Sequence, residues 1–221
     1  MANTQMSLAD LVNENGGAVR ILQRHRLDFC CGGQRTIEAA CAQAGVDPEA
    51  LLAEIDQATA GRAGSLQVEG WSPAQLVDHI VERYHVPLRE DVPRLYDLAA
   101  RVEHRHVGKP DCPAGLALHL QGMQQAIEIH LAKEEQILFP MIRAGRGHLA
   151  QMPVQVMMQE HDDHGQSLRR IRQLTHDLRL PSDACNSWRA LYDGLLDLER
   201  ELMEHIHLEN NVLFPEVLAG S

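Results

Sequence analysis

His130-Leu131-Ala132-Lys133-Glu134-Glu135-Gln136-Ile137-Leu138-Phe139-Pro140 is the stretch that decides the fold. Its pattern, His-x-x-x-Glu-x-x-x-Leu-Phe-Pro, returns 75 positions later as His205, Glu209, Leu213, Phe214 and Pro215. In a helix, residues four apart share one face with Cβ atoms about 6 Å apart, so each His and Glu can offer two ligand atoms to one point. Two such helices facing each other supply four ligands to a metal pair.

The repeat sits in longer apolar stripes with alternating steps of three and four. One reads Leu116, Leu120, Met123, Ile127, His130, Glu134, Ile137, Met141, and the other Leu191, Leu195, Leu198, Leu202, His205, Glu209, Val212. Both polar pairs therefore fall in a core seam. A third stripe, Val81, His85, Leu88, Val92, Leu95, Ala99, Val102, has His85 as its polar member, and a fourth, Val154, Met157, His161, His164, Leu168, Ile171, has His161 at the matching depth. His85 and His161 are 76 positions apart, which extends the repeat to a duplicated helical hairpin. Four long helical patterns, about 73–104, 114–144, 151–179 and 183–214, predict an all-α, up-down-up-down four-helix bundle.

Six buried polar residues at one depth need partners, because unpaired or uncompensated charges in a core cost several kcal/mol each. A bound metal removes that penalty. Imidazole with carboxylate and no cysteine in the seam favours iron or manganese over structural zinc. Two metals suit the count: Glu134 and Glu209 as bridges, with His85, His130, His161 and His205 as terminal ligands and open positions for an oxo bridge, oxygen or nitric oxide. Ferritin-like bundles use Glu-x-x-His in the reverse order, so the pattern is hemerythrin-like, and the absence of His-Glu-x-x-His gives no indication of a zinc protease. Proline two residues after His85, and after Phe139 and Phe214, predicts a kink or loosened helix at those points.

Upstream, residues 1–60 read as a small helical domain. Ser7 is a cap, Gly16-Gly17 a break, Val19–Arg26 a helix, Thr36–Gly45 another, and Asp47-Pro48 starts a last one over Glu49–Ala60. Residues 61–71 read as a linker and 72–221 as the bundle. Cys30 and Cys31 precede two glycines, an exposed setting in which thiolates can bind iron, react with nitrosyl species or exchange electrons; a turn that happens to hold two small thiols is the competing reading. Cys41, Cys112 and Cys185 read as unreactive. His79, His104, His106, His119, His148, His176 and His207 fall outside the repeat and are expected mostly at the surface; His164, one turn beyond His161, is the exception, a candidate partner standing behind the ligands.

Composition narrows the function classes. With 31 acidic and 20 basic residues and a formal charge of −11, the chain offers no footprint for nucleic acid or an anionic membrane. No apolar run approaches a membrane span and five cysteines suit reduced thiols, so a cytoplasmic protein, monomer or homodimer, is expected.

The motifs Asp28-Phe29-Cys30-Cys31-Gly32-Gly33, Arg83-Tyr84-His85, His130–Pro140, Glu160-His161-Asp162 and His205–Asn211 together resemble the Repair of Iron Centres family, in the same order over essentially the whole chain. The resemblance implies an N-terminal cysteine-bearing domain of the ScdA type ahead of a hemerythrin-like bundle with an oxo- and carboxylate-bridged non-haem di-iron centre. It implies His85, His130, His161 and His205 as terminal iron ligands and Glu134 and Glu209 as bridges, in agreement with the seams. Glu160 resembles an acid that moves protons or orients His161. Ala126 stands one turn before His130, where the resemblance leads one to expect a second acid.

The implied activity is repair of iron-sulfur clusters damaged by nitrosative or oxidative stress, with damaged iron-sulfur proteins as partners. Two alternatives use the same site: a reductase of nitric oxide or peroxide with Cys30 or Cys31 relaying electrons and Glu160 a proton, and a sensor of oxygen or nitric oxide.

Overall fold

A computed structural model describes residues 3–59, 68 and 70–220; the linker expected over 61–71 lies mostly outside the described residues. The chain forms two compact units, Met1–Leu76 together with Met203–Ser221, and Val77–Leu202. The fold class is the expected one, all-α, with a four-helix bundle preceded by a small helical region.

In the first unit, Ser7 caps α1 (Leu8–Glu14) by accepting from the Asp10 N–H, and a 3₁₀ turn (Gly16–Ala18) leads into α2 (Val19–Arg24). Thr36 caps α3 (Ile37–Ala44) in the same way, Gly45 ends it with a φ of +69°, and α4 (Pro48–Thr59) follows. Leu8, Leu11, Leu22, Phe29, Ile37 and Leu51 form the core of this part, each at most 2% exposed.

Four helical rods supply the bundle. The first joins α5 (Pro73–Ile80) to α6 (Val86–Arg105), the second α7 (Leu116–Lys133) to α8 (Phe139–Arg143), the third is α9 (Gln151–Leu174), and the fourth joins α10 (Asn186–Leu208) to α11 (Phe214–Ala219). The third rod stops at Leu174 rather than near residue 179, because His176, Asp177 and Leu178 take left-handed φ values of 48°, 66° and 58°. Within the second unit α6 packs on α7 and α7 on α9.

Three of the rods are each interrupted by one five-residue π turn: Val81–His85, Glu134–Leu138 and Glu209–Leu213. In each the closing N–H bonds five residues back, Val86 to the Val81 carbonyl, Phe139 to that of Glu134 and Phe214 to that of Glu209. The next residue is Pro87, Pro140 or Pro215, which has no N–H to give the carbonyl four residues earlier, and the wider turn absorbs that missing bond. Pro93 lies within regular α6, so a proline is not sufficient by itself. Each π turn has an expected metal ligand at one end.

The inserted residue shifts the seam. Beyond Glu134 the buried positions are Leu138 and Ile142, not Ile137 and Met141, and Ile137 is 53% exposed; beyond Glu209, Leu213 replaces Val212. Before His85 the same shift puts Ile80 in the core in place of Val81. The stripe of α9, which has no π turn, is buried as expected from Val154 to Ile171. The duplicated hairpins are thus unequal at His85 and His161. Leu138→Ala is expected to lower unfolding stability by about 2–5 kcal/mol and Ile137→Ala by less than about 0.5 kcal/mol in urea titrations, whereas an uninterrupted α-helix would reverse the order.

Candidate metal centre

In the second unit, His85, at the end of the first π turn, and Glu134, at the start of the second, are both fully buried, as is His161 on α9; His130 is 1% exposed. Their atoms converge on the Glu134 carboxylate. His85 Nε2 lies 3.4 Å from Glu134 Oε2, and His130 Nε2 lies 3.3 Å and His161 Nε2 3.9 Å from Oε1. His130 Nε2 and His161 Nε2 are 3.2 Å apart. One carboxylate thus faces one imidazole with one oxygen and two imidazoles with the other. Phe139, from the repeated Leu-Phe-Pro, stacks on the His85 ring with centroids 5.6 Å apart.

Acids behind the rings set which nitrogen points inward. Glu135 Oε1 accepts from His85 Nδ1 at 2.8 Å and from Arg89 Nη1 at 2.9 Å, and Arg89 also reaches Glu128. Glu160 Oε2 accepts from His130 Nδ1 at 3.0 Å, and its other oxygen pairs with Lys133. Partial burial pushes both carboxyls up, but hydrogen bonds from Arg89 and His85 outweigh it at Glu135, and those from Lys133 and His130 at Glu160, so both stay below the usual glutamate range. With Nδ1–H engaged, the Nε2 lone pairs of His85 and His130 face the carboxylate. Lone pairs facing carboxylate oxygens in a buried site repel one another, and a cation held between them relieves that repulsion. The donor set, imidazole nitrogen and carboxylate oxygen without sulfur, fits iron.

The His164 and His130 rings meet edge to face with centroids 4.9 Å apart, so His164 stands behind His130. Glu160 likewise orients His130 and not His161. Glu135 was not singled out from the sequence, although an acid directly after the bridging position was visible there.

In the first unit, His205 and Glu209 are fully buried, with His205 Nε2 3.3 Å from Glu209 Oε2, the same spacing as in the His130–Glu134 pair. His207, between the two, and Asn210 and Asn211, just beyond Glu209, engage the cysteine loop. His207 Nε2 donates to Asn13 Oδ1 at 2.9 Å; its Nδ1 is 3.2 Å from Asn211 Nδ2 and 3.3 Å from the Phe29 carbonyl. Burial pushes His207 down to about 4, so the ring is neutral and Nδ1 accepts from Asn211. Asn211 Nδ2 also donates to the Cys30 carbonyl at 3.0 Å and Asn210 Nδ2 does so at 3.3 Å. Gly33 is required here, since a Cβ would come within 2.5 Å of the Phe29 carbonyl oxygen. His207 is therefore an internal clamp and not a surface histidine.

The loop itself is less open than its sequence suggests. Cys30 is 3% exposed while Cys31 is half-buried. Asp28 Oδ1 accepts from the N–H groups of Cys31 and Gly32 at 3.0 and 3.1 Å and from Cys30 Sγ at 3.3 Å, and the two sulfurs are 3.7 Å apart. Its hydrogen bond with Cys31, its burial and the Asp28 charge all push the Cys30 thiol well above its ordinary pKa. Cys30 is a held, protonated thiol, and Cys31 is its accessible neighbour.

A four-helix bundle with π turns at the expected ligands and imidazoles grouped around a buried carboxylate defines a hemerythrin-like metal protein. Residues 76–217 match the family described as "Hemerythrin HHE cation binding domain" and residues 4–59 that described as "Domain of Unknown function (DUF542)". A relative from Haemophilus influenzae, named "Probable iron-sulfur cluster repair protein", is 42% identical over 99% of both chains. Relatives from Yersinia pseudotuberculosis and Yersinia pestis, named "Iron-sulfur cluster repair protein YtfE", are 43% identical over 92% of both chains. The chain belongs to the Repair of Iron Centres family.

Removing the acids behind the rings tests how the ligands are held. Glu135→Ala and Glu160→Ala are each expected to weaken iron retention about 10- to 100-fold in competition with a chelator. Glu128→Ala, which removes an exposed partner of Arg89, is expected to change it less than about twofold.

Proposed function

We propose that this chain is a cytoplasmic non-haem di-iron protein of the stress response that supplies iron to iron-sulfur clusters damaged by nitric oxide or oxidants. The observation that carries the reading is the two-sided Glu134 carboxylate, with His85 Nε2 on one oxygen and His130 and His161 Nε2 on the other. A carboxylate so flanked suits two metal positions, one at each oxygen. In this reading Glu209 is the second bridge and His205 the fourth terminal imidazole, supported by the repeat and by the equal spacing of the two His–Glu pairs. The names of the relatives support the repair role, and damaged iron-sulfur proteins are the proposed partners.

Iron bound there supplies a redox couple, and nitric oxide, oxygen or peroxide are its small ligands. The chain's residues set how firmly it is held. Glu135 and Glu160 keep Nδ1 of His85 and His130 as donors, so Nε2 stays available. Glu160 is about a quarter exposed and can pass a proton between His130 Nδ1 and water, while Lys133 keeps its carboxylate ionised. Among the described residues all five cysteines are free, which suits a reducing compartment, and Asp28, Cys30 and Cys31 bring three ligand atoms within 4.8 Å of one another. Cys31 is the proposed entry point for iron or electrons at this loop, and Cys30 its proton-holding partner.

Iron-loaded protein mixed with a nitric-oxide-damaged ferredoxin is expected to lose as much iron as the acceptor gains, and Glu134→Gln neither to hold nor to deliver a pair. Substituting one terminal histidine is expected to leave partial occupancy, and Cys31→Ser to slow delivery without emptying the site. Turnover of many equivalents of nitric oxide with all iron retained would instead make the protein a reductase.

A further inference from the structure

A cavity of about 720 Å³ opens at the far end of α6, lined by Arg101, His104, Arg105 and His106 with Cys185 and Ser187 from the start of the fourth rod. All of these residues belong to the Val77–Leu202 unit. Arg101 is sixteen residues beyond His85 on the same rod, roughly 25 Å at 1.5 Å per residue, so this cavity is separate from the metal centre. Its volume lies within the range of about 300–1,000 Å³ that is usual for small-molecule sites.

Three observations give it a chemical character. First, the wall is cationic in a chain of net charge −11, and among the described residues neither Arg101 nor Arg105 has an ion-pair partner. The acids nearby are engaged elsewhere: Asp183 with Lys109, and Glu103 Oε1 with the Ala117 N–H at 2.6 Å. Second, His106 is only 8% exposed, held against the buried Trp188 with ring centroids 4.7 Å apart, and its Nε2 is 3.4 Å from Cys185 Sγ. A fixed imidazole beside a thiol is an arrangement that activates the sulfur, because the ring takes the proton as the sulfur attacks. Third, the Cys185 carbonyl accepts from the N–H groups of Trp188 and Arg189 at 3.0 and 3.1 Å. Cys185 thus caps α10, a position where the helix terminus favours negative charge.

From the Cys185–His106 pair set among unpartnered arginines, we infer that this cavity is a thiol-exchange site that takes the disulfide of a small, carboxylate-bearing thiol, with Cys185 as the nucleophile. His106 Nε2 accepts the Cys185 proton, and Sγ attacks one sulfur of the disulfide. The S–S bond breaks as the Cys185–S–S–R bond forms, and the departing thiolate takes the proton back from His106. Cys185 is oxidised, the departing sulfur is reduced, and the incoming disulfide is the oxidant. Arg101 and Arg105 hold the carboxylates. This assigns a reactive role to a cysteine that the sequence placed among the unreactive ones, and it does not depend on the iron reading.

Glutathione disulfide is the probe, and cystamine, which carries positive charges, is the control. Cys112 is an internal reference: it is half-buried, its thiol donates to the Glu103 carbonyl, and burial together with Glu103 pushes it up. Peptide mass spectrometry of the folded, reduced full chain is expected to find the glutathionyl group on Cys185 at least tenfold faster than on Cys112. The double substitution of the exposed Arg101→Ser and Arg105→Ser is expected to slow the glutathione reaction about tenfold and leave the cystamine reaction unslowed, while His106→Asn slows both. Equal rates at Cys185 and Cys112, or a glutathione rate untouched by the arginine substitutions in protein with native circular dichroism, would overturn the assignment.

Discussion

The Glu134 carboxylate, fully buried among imidazole nitrogens, is the interaction on which the rest depends. An anion in an apolar core is tolerated only with compensating charge and hydrogen bonds, and here the facing nitrogens are lone-pair donors whose own protons are committed to Glu135 and Glu160. A cation is the group that satisfies both sets. Local features of the bundle serve that placement: the seam brings the side chains inward, the π turns adjust where His85 and Glu134 point, and Phe139 fixes the plane of the His85 ring.

In the other unit, one helical stretch has two duties. His205 and Glu209 form the buried pair, while Asn210 and Asn211 donate to the Cys30 carbonyl and His207 bonds Asn13 and meets the Phe29 ring. Positions 205 and 209 share one face of the helix, and 207 and 211 share another, so about two turns present the expected ligands to one side and the clamp to the other. A change at the clamp therefore bears on the positions of the cysteine loop and of His205 together.

The bundle was legible in the sequence because each apolar stripe follows the helical period over most of its length. All six proposed ligands are buried, and the α9 stripe is buried residue for residue. What could not be read was the register beyond the ligands: a π turn adds one residue, so Leu138 and Leu213 enter the core where Ile137 and Val212 were expected. Pro140 and Pro215 announced a disturbance but not its form, as regular helix around Pro93 shows. Glu135 and the clamp at His207 depend on tertiary partners far away in sequence, Arg89 and His85 for one, Asn13 and Phe29 for the other, and neither follows a periodic pattern. The Cys30-Cys31 pair read as exposed because glycines follow it, yet Asp28 and the asparagine clamp bury Cys30.

The central claim is that the carboxylate and imidazole cluster holds a coupled pair of irons. Metal analysis of protein purified without added metal, with Mössbauer and paramagnetic resonance spectra of the same sample, tests it most directly. The account predicts two irons per chain with the spectra of an exchange-coupled pair; a single zinc, or one magnetically isolated iron, would contradict it.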